Sequence, residues 1–245
     1  MSHEREQVRR AWRDGLGVAI ATSAYGISFG ALAVASGLDV WQTCVLSLLM
    51  FTGGSQFAFV GVIGAGGLAA APAAIASAGL LGARNVAYGL RMSPVIGAGF
   101  WRRAAAAHFT IDESTAVSLA QTAPRARLTG FWVTGIGIYI GWNLSTLAGA
   151  LLGDVLGDPR AYGLDAAAAA AFLALLWPRL RRTQAIAVGI AAAVVATVLT
   201  PSLMPGIPVL LAAVVAVVVG WTNWLGDRES APEEPDDVPE REGLP

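Results

Sequence analysis

Residues 51–57 read Phe-Thr-Gly-Gly-Ser-Gln-Phe, inside a stretch from Val40 to Ala83 that holds no charged residue. A bilayer core takes about 20 apolar residues per helical span, so this stretch can cross twice. A glycine pair beside Thr52, Ser55 and Gln56 is a poor way to build a lipid-facing helix. Glycine weakens the helix, and an unpaired amide in hydrocarbon is costly. Irregular backbone at membrane depth is tolerated where it is buried in protein or lines a wet cavity. Interrupted helices of this kind are where transporters place their substrate sites. The stretch predicts a polytopic membrane protein with a polar path.

Composition agrees. The chain is 55% hydrophobic and 13% charged, against about 25% charged in a soluble domain. Its formal net charge of −1 argues for neither nucleic acid nor an acidic partner. The basic residues are all arginine. One cysteine, Cys44, excludes an internal disulfide. No Cys/His cluster, Gly-rich phosphate loop or nucleophile elbow is present, so no metal, cofactor or ATP-driven step is expected of this chain.

Charge and proline divide the chain into a basic tail (1–14), a transmembrane transport domain (15–226) and an acidic, proline-rich tail (227–245) unable to bury enough apolar surface to fold. Span 1 covers about 15–37 and follows Arg5, Arg9, Arg10 and Arg13. Its length favours a retained span over a cleaved signal. Val40–Ala83 holds spans 2 and 3, turning within Gly64–Pro72. Ala104–Ala123, Leu128–Gly153 and Ala161–Trp177 are further apolar segments, and Thr183–Gly226, punctuated by Pro201, Pro205 and Pro208, reads as a second hairpin. The fold class is therefore all-α, a polytopic membrane protein with about seven or eight transmembrane or re-entrant helices. Small-residue pairs Gly26/Gly30, Gly137/Gly141 and Gly149/Gly153 suggest close helix packing. Gly30–Leu32 with Gly37–Asp39, and Gly149–Leu151 with Gly163–Asp165, hint at an internal duplication.

Arginine placement gives two topologies. In one, Ala104–Ala123 spans fully and 84–103 lies outside. In the other, that segment and one arm of 40–83 are re-entrant, and Arg84, Arg91, Arg102 and Arg103 move inside. Both put both termini in the cytoplasm, in a bacterial inner (plasma) membrane.

Four constellations carry chemistry. Tyr25 and Ser28 place hydroxyls in span 1; backbone-bonded Ser and interfacial Tyr is the plainer reading. Gly53, Gly54, Ser55 and Gln56 form the broken segment, and Gln56 has four hydrogen-bonding valences to satisfy away from water. Arg84, Asn85, Tyr88 and Arg91 follow. Arg84 and Arg91 are about two helical turns apart, so they share a face with Tyr88. An arginine fork suits a carboxylate, and interfacial snorkelling is the alternative. Asp112 and Glu113 are an acidic pair inside an apolar segment, which by default suggests function. They can pair with arginine or take the coupling proton. The rival reading is a capping box, with Thr110 at N-cap and Glu113 at N3.

In this order, Gly-Ile-Ser-Phe-Gly (26–30), Phe-Thr-Gly-Gly-Ser-Gln-Phe (51–57), Gly-Ala-Arg-Asn-Val-Ala-Tyr-Gly-Leu (82–90) and Thr-Ile-Asp-Glu-Ser (110–114) resemble the AzlC/YgaZ family of large subunits of branched-chain amino acid exporters. The resemblance covers about 15–225. The family has His after the arginine and Asn or Asp two residues before it; this chain has Asn85 and Gly82. The resemblance implies export of valine, leucine, isoleucine or similar small apolar amino acids. It also implies a small multi-span partner of the AzlD/YgaH type. Proton coupling through Asp112 or Glu113 is the expected drive. A non-transporting membrane scaffold for the small subunit is the rival from a different class.

Overall fold

Two long helices frame the molecule, α1 (Ser2–Ala35) and α8 (Pro124–Leu156). They run parallel. Gly15 meets Thr134, Gly26 meets Trp142, and Gly153 meets Ala31. A Cβ on Gly30 would land on the Thr146 carbonyl, and one on Gly149 on the Ile27 carbonyl. The glycines therefore permit backbone-to-backbone contact, the small-residue packing expected between membrane helices. Their first turns share one end, here called proximal. There Arg125 pairs with Glu4 at 3.6 Å, and Gln7 Oε1 accepts from Thr122 Oγ1 at 2.9 Å. Residues 2–14 form the opening turns of α1, where Asp14 meets Arg10 and Arg13 at 3.5 and 3.6 Å.

The computed structural model describes residues 2–156, 173, 177, 180 and 183–222, and every regular element among them is helical. Three stretches are long and apolar enough to cross a membrane, His3–Ala35, Gly53–Ile96 and Pro124–Val155. The middle one is folded rather than straight, as its contacts show.

At the distal end of α1, Gly37 (φ +95°) turns the chain. Asp39 then caps α2 (Val40–Leu49), accepting from the Gln42 N–H at 2.7 Å while Gln42 Oε1 accepts the Asp39 N–H at 3.0 Å. That reciprocal box fixes the direction of α2. Ten residues rise about 15 Å, half a bilayer core, so α2 ends at mid-depth. The backbone breaks at Met50–Thr52, and α3 (Gly53–Gly66) climbs back parallel to α1, with Phe57 against Phe29 and Gly64 against Ser36. α2 and α3 are thus a re-entrant hairpin from the distal end.

A 3₁₀ turn (Gly67–Ala70, Gly67 φ +61°) leads into α4 (Ala71–Gly82), antiparallel to α3; Ser55 Oγ donates to the Ala78 carbonyl at 2.8 Å. Ala83 keeps helical torsions and joins α4 to α5 (Arg84–Ile96), whose Met92 and Ile96 reach Phe131 near the proximal end. Together α4 and α5 cross. Gly97 and Gly99 (φ +83° and +118°) turn the chain into α6 (Phe100–Phe109), again ten residues. It rises to mid-depth and breaks at Thr110–Ile111. α7 (Asp112–Leu119) descends again, with Val117 against Gly130. This is a second re-entrant hairpin, from the opposite end. Farther on, α9 (Thr183–Leu199) and α10 (Ile207–Thr222) form the expected hairpin; Pro205 and Gly206, in its turn, meet Gly66 and Val62.

The two half-length hairpins have the form of the re-entrant reading, with one difference. Arg91, Arg102 and Arg103 lie toward the proximal end, where Met92, Ile96 and Ala106 pack on Phe131, whereas Arg84 stays level with the cavity. Gly30–Leu32 and Gly149–Leu151, read in the sequence as parts of a duplication, lie on α1 and α8 and pack against each other in parallel. Gly163–Asp165, the 161–177 segment apart from Leu173 and Trp177, and the acidic tail lie outside the described residues. What repeats is α1 with its hairpin and α4–α5 with its hairpin, in opposite directions. Ala24-Tyr25-Gly26 corresponds to Ala87-Tyr88-Gly89, Trp41 to Trp101 as the second residue of α2 and α6, and Phe51-Thr52 to Phe109-Thr110 at the breaks.

Candidate functional site

The two hairpin breaks meet in the middle of the molecule. Phe51 contacts His108 and Phe109 with ring centroids 5.9 and 6.3 Å apart, and Tyr139 of α8 at 5.0 Å. Beside this aromatic junction lies a cavity of about 230 Å³. Its wall combines Thr22 and Tyr25 of α1, Phe51 to Gly54 and Phe57, Arg84, Ile111 to Glu113, and Ile138 and Trp142 of α8.

The polar side is built by helix starts. α3 begins without a side-chain cap, since Thr52 makes no capping bond, and no acidic residue occupies its first turn. The first helical bond is Gln56 N–H to the Thr52 carbonyl at 3.0 Å. The N–H groups of Gly53, Gly54 and Ser55 therefore have no intrahelical acceptor, and α3 itself carries no charge that compensates the positive end of its dipole. α7 starts at the same cavity but carries Asp112 and Glu113 in its first turn. Arg84, at the α4–α5 junction, extends Nη1 to Asp112 Oδ2 at 3.1 Å, with side chains 34% and 25% exposed. A Cβ on Gly54 would sit 3.2 Å from Arg84 Nη2, so glycine there lets the guanidinium lie against α3. Each helix start carries roughly half a positive charge, so two starts and one guanidinium approximately offset the two carboxylates. A near-neutral, two-signed site accepts a zwitterion without importing net charge.

The apolar side is Phe57, Ile111, Ile138 and Trp142. Trp142 is buried, stacked on Phe29 (6.1 Å, 26°) and edge-on to Phe57 (6.3 Å, 89°). Its indole N–H donates to Gln56 Oε1 at 2.8 Å. Gln56 Nε2 donates to the Met50 carbonyl at 2.6 Å and to the Ser47 carbonyl at 3.4 Å. The glutamine thus ties the frayed end of α2 to the start of α3 and to α8.

Of the residues singled out in the sequence, Tyr25, Gly53, Gly54, Arg84, Asp112 and Glu113 line the cavity. Ser28, Ser55, Gln56, Asn85, Tyr88 and Arg91 do not. Ser55 is committed to the Ala78 carbonyl, and Gln56 is fully buried in the bonds just described. Arg91 is exposed, two turns from Arg84 and well below the cavity. The backbone break lies at Met50–Thr52, not within 53–56, which forms the first turn of α3. The Thr110 capping box is also not formed. Thr110 Oγ1 donates to the Ala106 carbonyl at 2.7 Å, the N-cap is Ile111, and Ser114 Oγ accepts the Ile111 N–H at 3.1 Å. Isoleucine offers no acceptor in return, so the box is one-sided. Sequence reading did not single out Thr22, Phe51, Thr52, Phe57, Ile111, Ile138 and Trp142 as site residues. Only Trp142 carried a signal, as a tryptophan in mid-span rather than at a membrane interface.

No curated protein and no solved structure matches this chain. One family's sequence model, described as AzlC protein, matches residues 17–156, which is more than half of the chain and includes every residue lining the cavity. That family is associated with branched-chain amino acid transport. The chain belongs to the AzlC family.

Proposed function

We propose that this chain is the large subunit of an exporter of branched-chain or similar small apolar amino acids, driven by the proton gradient. The observation that carries the reading is the mid-depth cavity, which sets a guanidinium, two carboxylates and an uncapped helix start opposite an apolar wall. The substrate carboxylate meets the Gly53 and Gly54 N–H groups and Arg84. The ammonium group meets Asp112 or Glu113, one of which also exchanges the coupling proton. The aliphatic side chain meets Phe57, Ile138 and Trp142. Two oppositely directed hairpins at a central site suit alternating access. Every described arginine except Arg84 lies in the proximal half, so the positive-inside rule puts the proximal end in the cytoplasm of a bacterial inner membrane. The exposed apolar faces of α9 and α10 leave room for a small multi-span partner of the AzlD/YgaH type.

Efflux of labelled leucine from vesicles holding both chains, under imposed pH gradients, tests this. Wild-type efflux should follow the gradient. Arg84→Lys, which loses the bidentate fork, should raise the half-saturating substrate concentration about tenfold at unchanged membrane abundance. Asp112→Asn should abolish the gradient dependence. Wild-type efflux no faster than from empty vesicles would remove the exporter reading in favour of a scaffold role.

A further inference from the structure

Adjacent glycines divide the cavity. Gly54 lies against Arg84, and Gly53 lies against Trp142: a Cβ on Gly53 would sit 3.2 Å from Trp142 Cη2. Successive residues of one helix turn thus face the charged end and the apolar end. That adjacency matches an α-amino acid, whose carboxylate and side chain leave one carbon.

The indole cannot swing away from this position. Phe29 covers one face, Phe57 abuts it edge-on, and Gln56 holds its only polar atom. Gln56 is itself fixed by the carbonyls of Met50 and Ser47. The far wall of the apolar subsite is therefore rigid, in contrast to a methionine or a long aliphatic side chain that could repack.

We propose that Trp142 sets the upper size limit of the substrate side chain, and that Gln56 is the positioning residue that holds it there. The inference rests on the exporter reading and adds a named specificity determinant. A rigid wall rejects an added group by steric overlap, and a single methylene in a hydrophobic pocket is worth about 10–200-fold in discrimination. Trp142→Phe shortens the wall and opens the subsite. Gly53→Ala adds a methyl where the indole already makes contact and shrinks it. The two variants should move selectivity in opposite directions. Gln56→Leu, which does not touch the cavity, should move it in the same direction as Trp142→Phe by unpinning the ring.

The test is efflux of labelled alanine, isoleucine and phenylalanine from loaded cells expressing the full chain with its partner, normalised to membrane abundance. Wild-type efflux of isoleucine above a control lacking the chain checks the exporter reading separately. Trp142→Phe should raise the phenylalanine-to-isoleucine ratio about tenfold or more, and Gly53→Ala should lower the isoleucine-to-alanine ratio by a similar factor. A purely structural role would depress all three substrates alike. Ratios within twofold of wild type, or shifts of both variants in the same direction, overturn the proposal. If Trp142→Phe does not accumulate in the membrane, Gly53→Ala decides alone: an unchanged isoleucine-to-alanine ratio overturns the proposal.

Discussion

Gln56 shows how the same residue type supports two chemistries. A buried amide in an apolar stretch must find partners, and the sequence signals that need without saying whether they are substrate or protein. The structure supplies protein partners on both sides of the amide. Leucine at this position keeps the volume but strips the indole N–H and the Met50 carbonyl of their partner. Each buried orphan costs about 1–3 kcal/mol. Gln56→Leu should therefore lower stability by about 2 kcal/mol or more, read as a fall of about 5 °C or more in the unfolding midpoint of the purified chain in detergent. An unchanged midpoint would mean that these bonds are not formed. Thr110 teaches a similar lesson. Its hydroxyl can cap the next helix or bond four residues back, and both leave the same local sequence pattern. Six cavity residues were legible because charge and tyrosine at membrane depth are rare, and because an adjacent glycine pair followed by Ser55 and Gln56 is an unusual way to continue an apolar stretch. The apolar wall was not, because Phe57, Ile111 and Ile138 look like any lipid-facing or core residue until the helices are placed.

At the scale of elements, the small-residue pairs in α1 and α8 were visible in the sequence, and the structure shows what they do. At Gly30 and Gly149 the two backbones touch, and no rotamer change can relieve an added Cβ there. Overpacking usually costs about 1–3 kcal/mol. Gly30→Ala should reach the upper end of that range, because the obstacle is backbone. Gly17 lies on the same helix with nothing within 4 Å of its added Cβ. Gly17→Ala should be neutral or slightly stabilising, since alanine favours the helix over glycine. Comparing the thermal stability of the two variants separates packing from propensity. Equal losses would remove the close α1–α8 crossing. The hairpin lengths were harder to read. A charge-free stretch from 40 to 83 divides equally well into two spans or into a hairpin plus the first half of a span. Apolar composition measures length in hydrocarbon and not direction. The turn at 67–70 was readable from its glycines, while the break at 50–52 contains neither glycine nor proline.

At the scale of the whole molecule, direction is what the hairpins contribute. Each is too short to cross, and each brings the start of a helix to the centre from its own side. The shared residues at the breaks, Phe51-Thr52 and Phe109-Thr110, place equivalent aromatic side chains on the two tips. Displacing one tip would open the cavity toward that hairpin's end while the other stays shut. That arrangement makes a sharp statement about sidedness. The turn after α3 is distal, with Leu68 85% exposed, and the turn before α6 is proximal, with Trp101 82% exposed. Only α4–α5 separates them, so they must face opposite sides if that rod crosses. Cys44 is the chain's one cysteine, so a Cys44→Ser background is free of thiols. Leu68→Cys and Trp101→Cys, introduced singly, should react with a membrane-impermeant maleimide from opposite faces of sealed vesicles. The positive-inside rule adds that Trp101→Cys is the one shielded in intact cells and reactive in inverted vesicles. Labelling of both from the same face would mean that α4–α5 turns back within the bilayer. Arg84 would then no longer sit between two opposed hairpins.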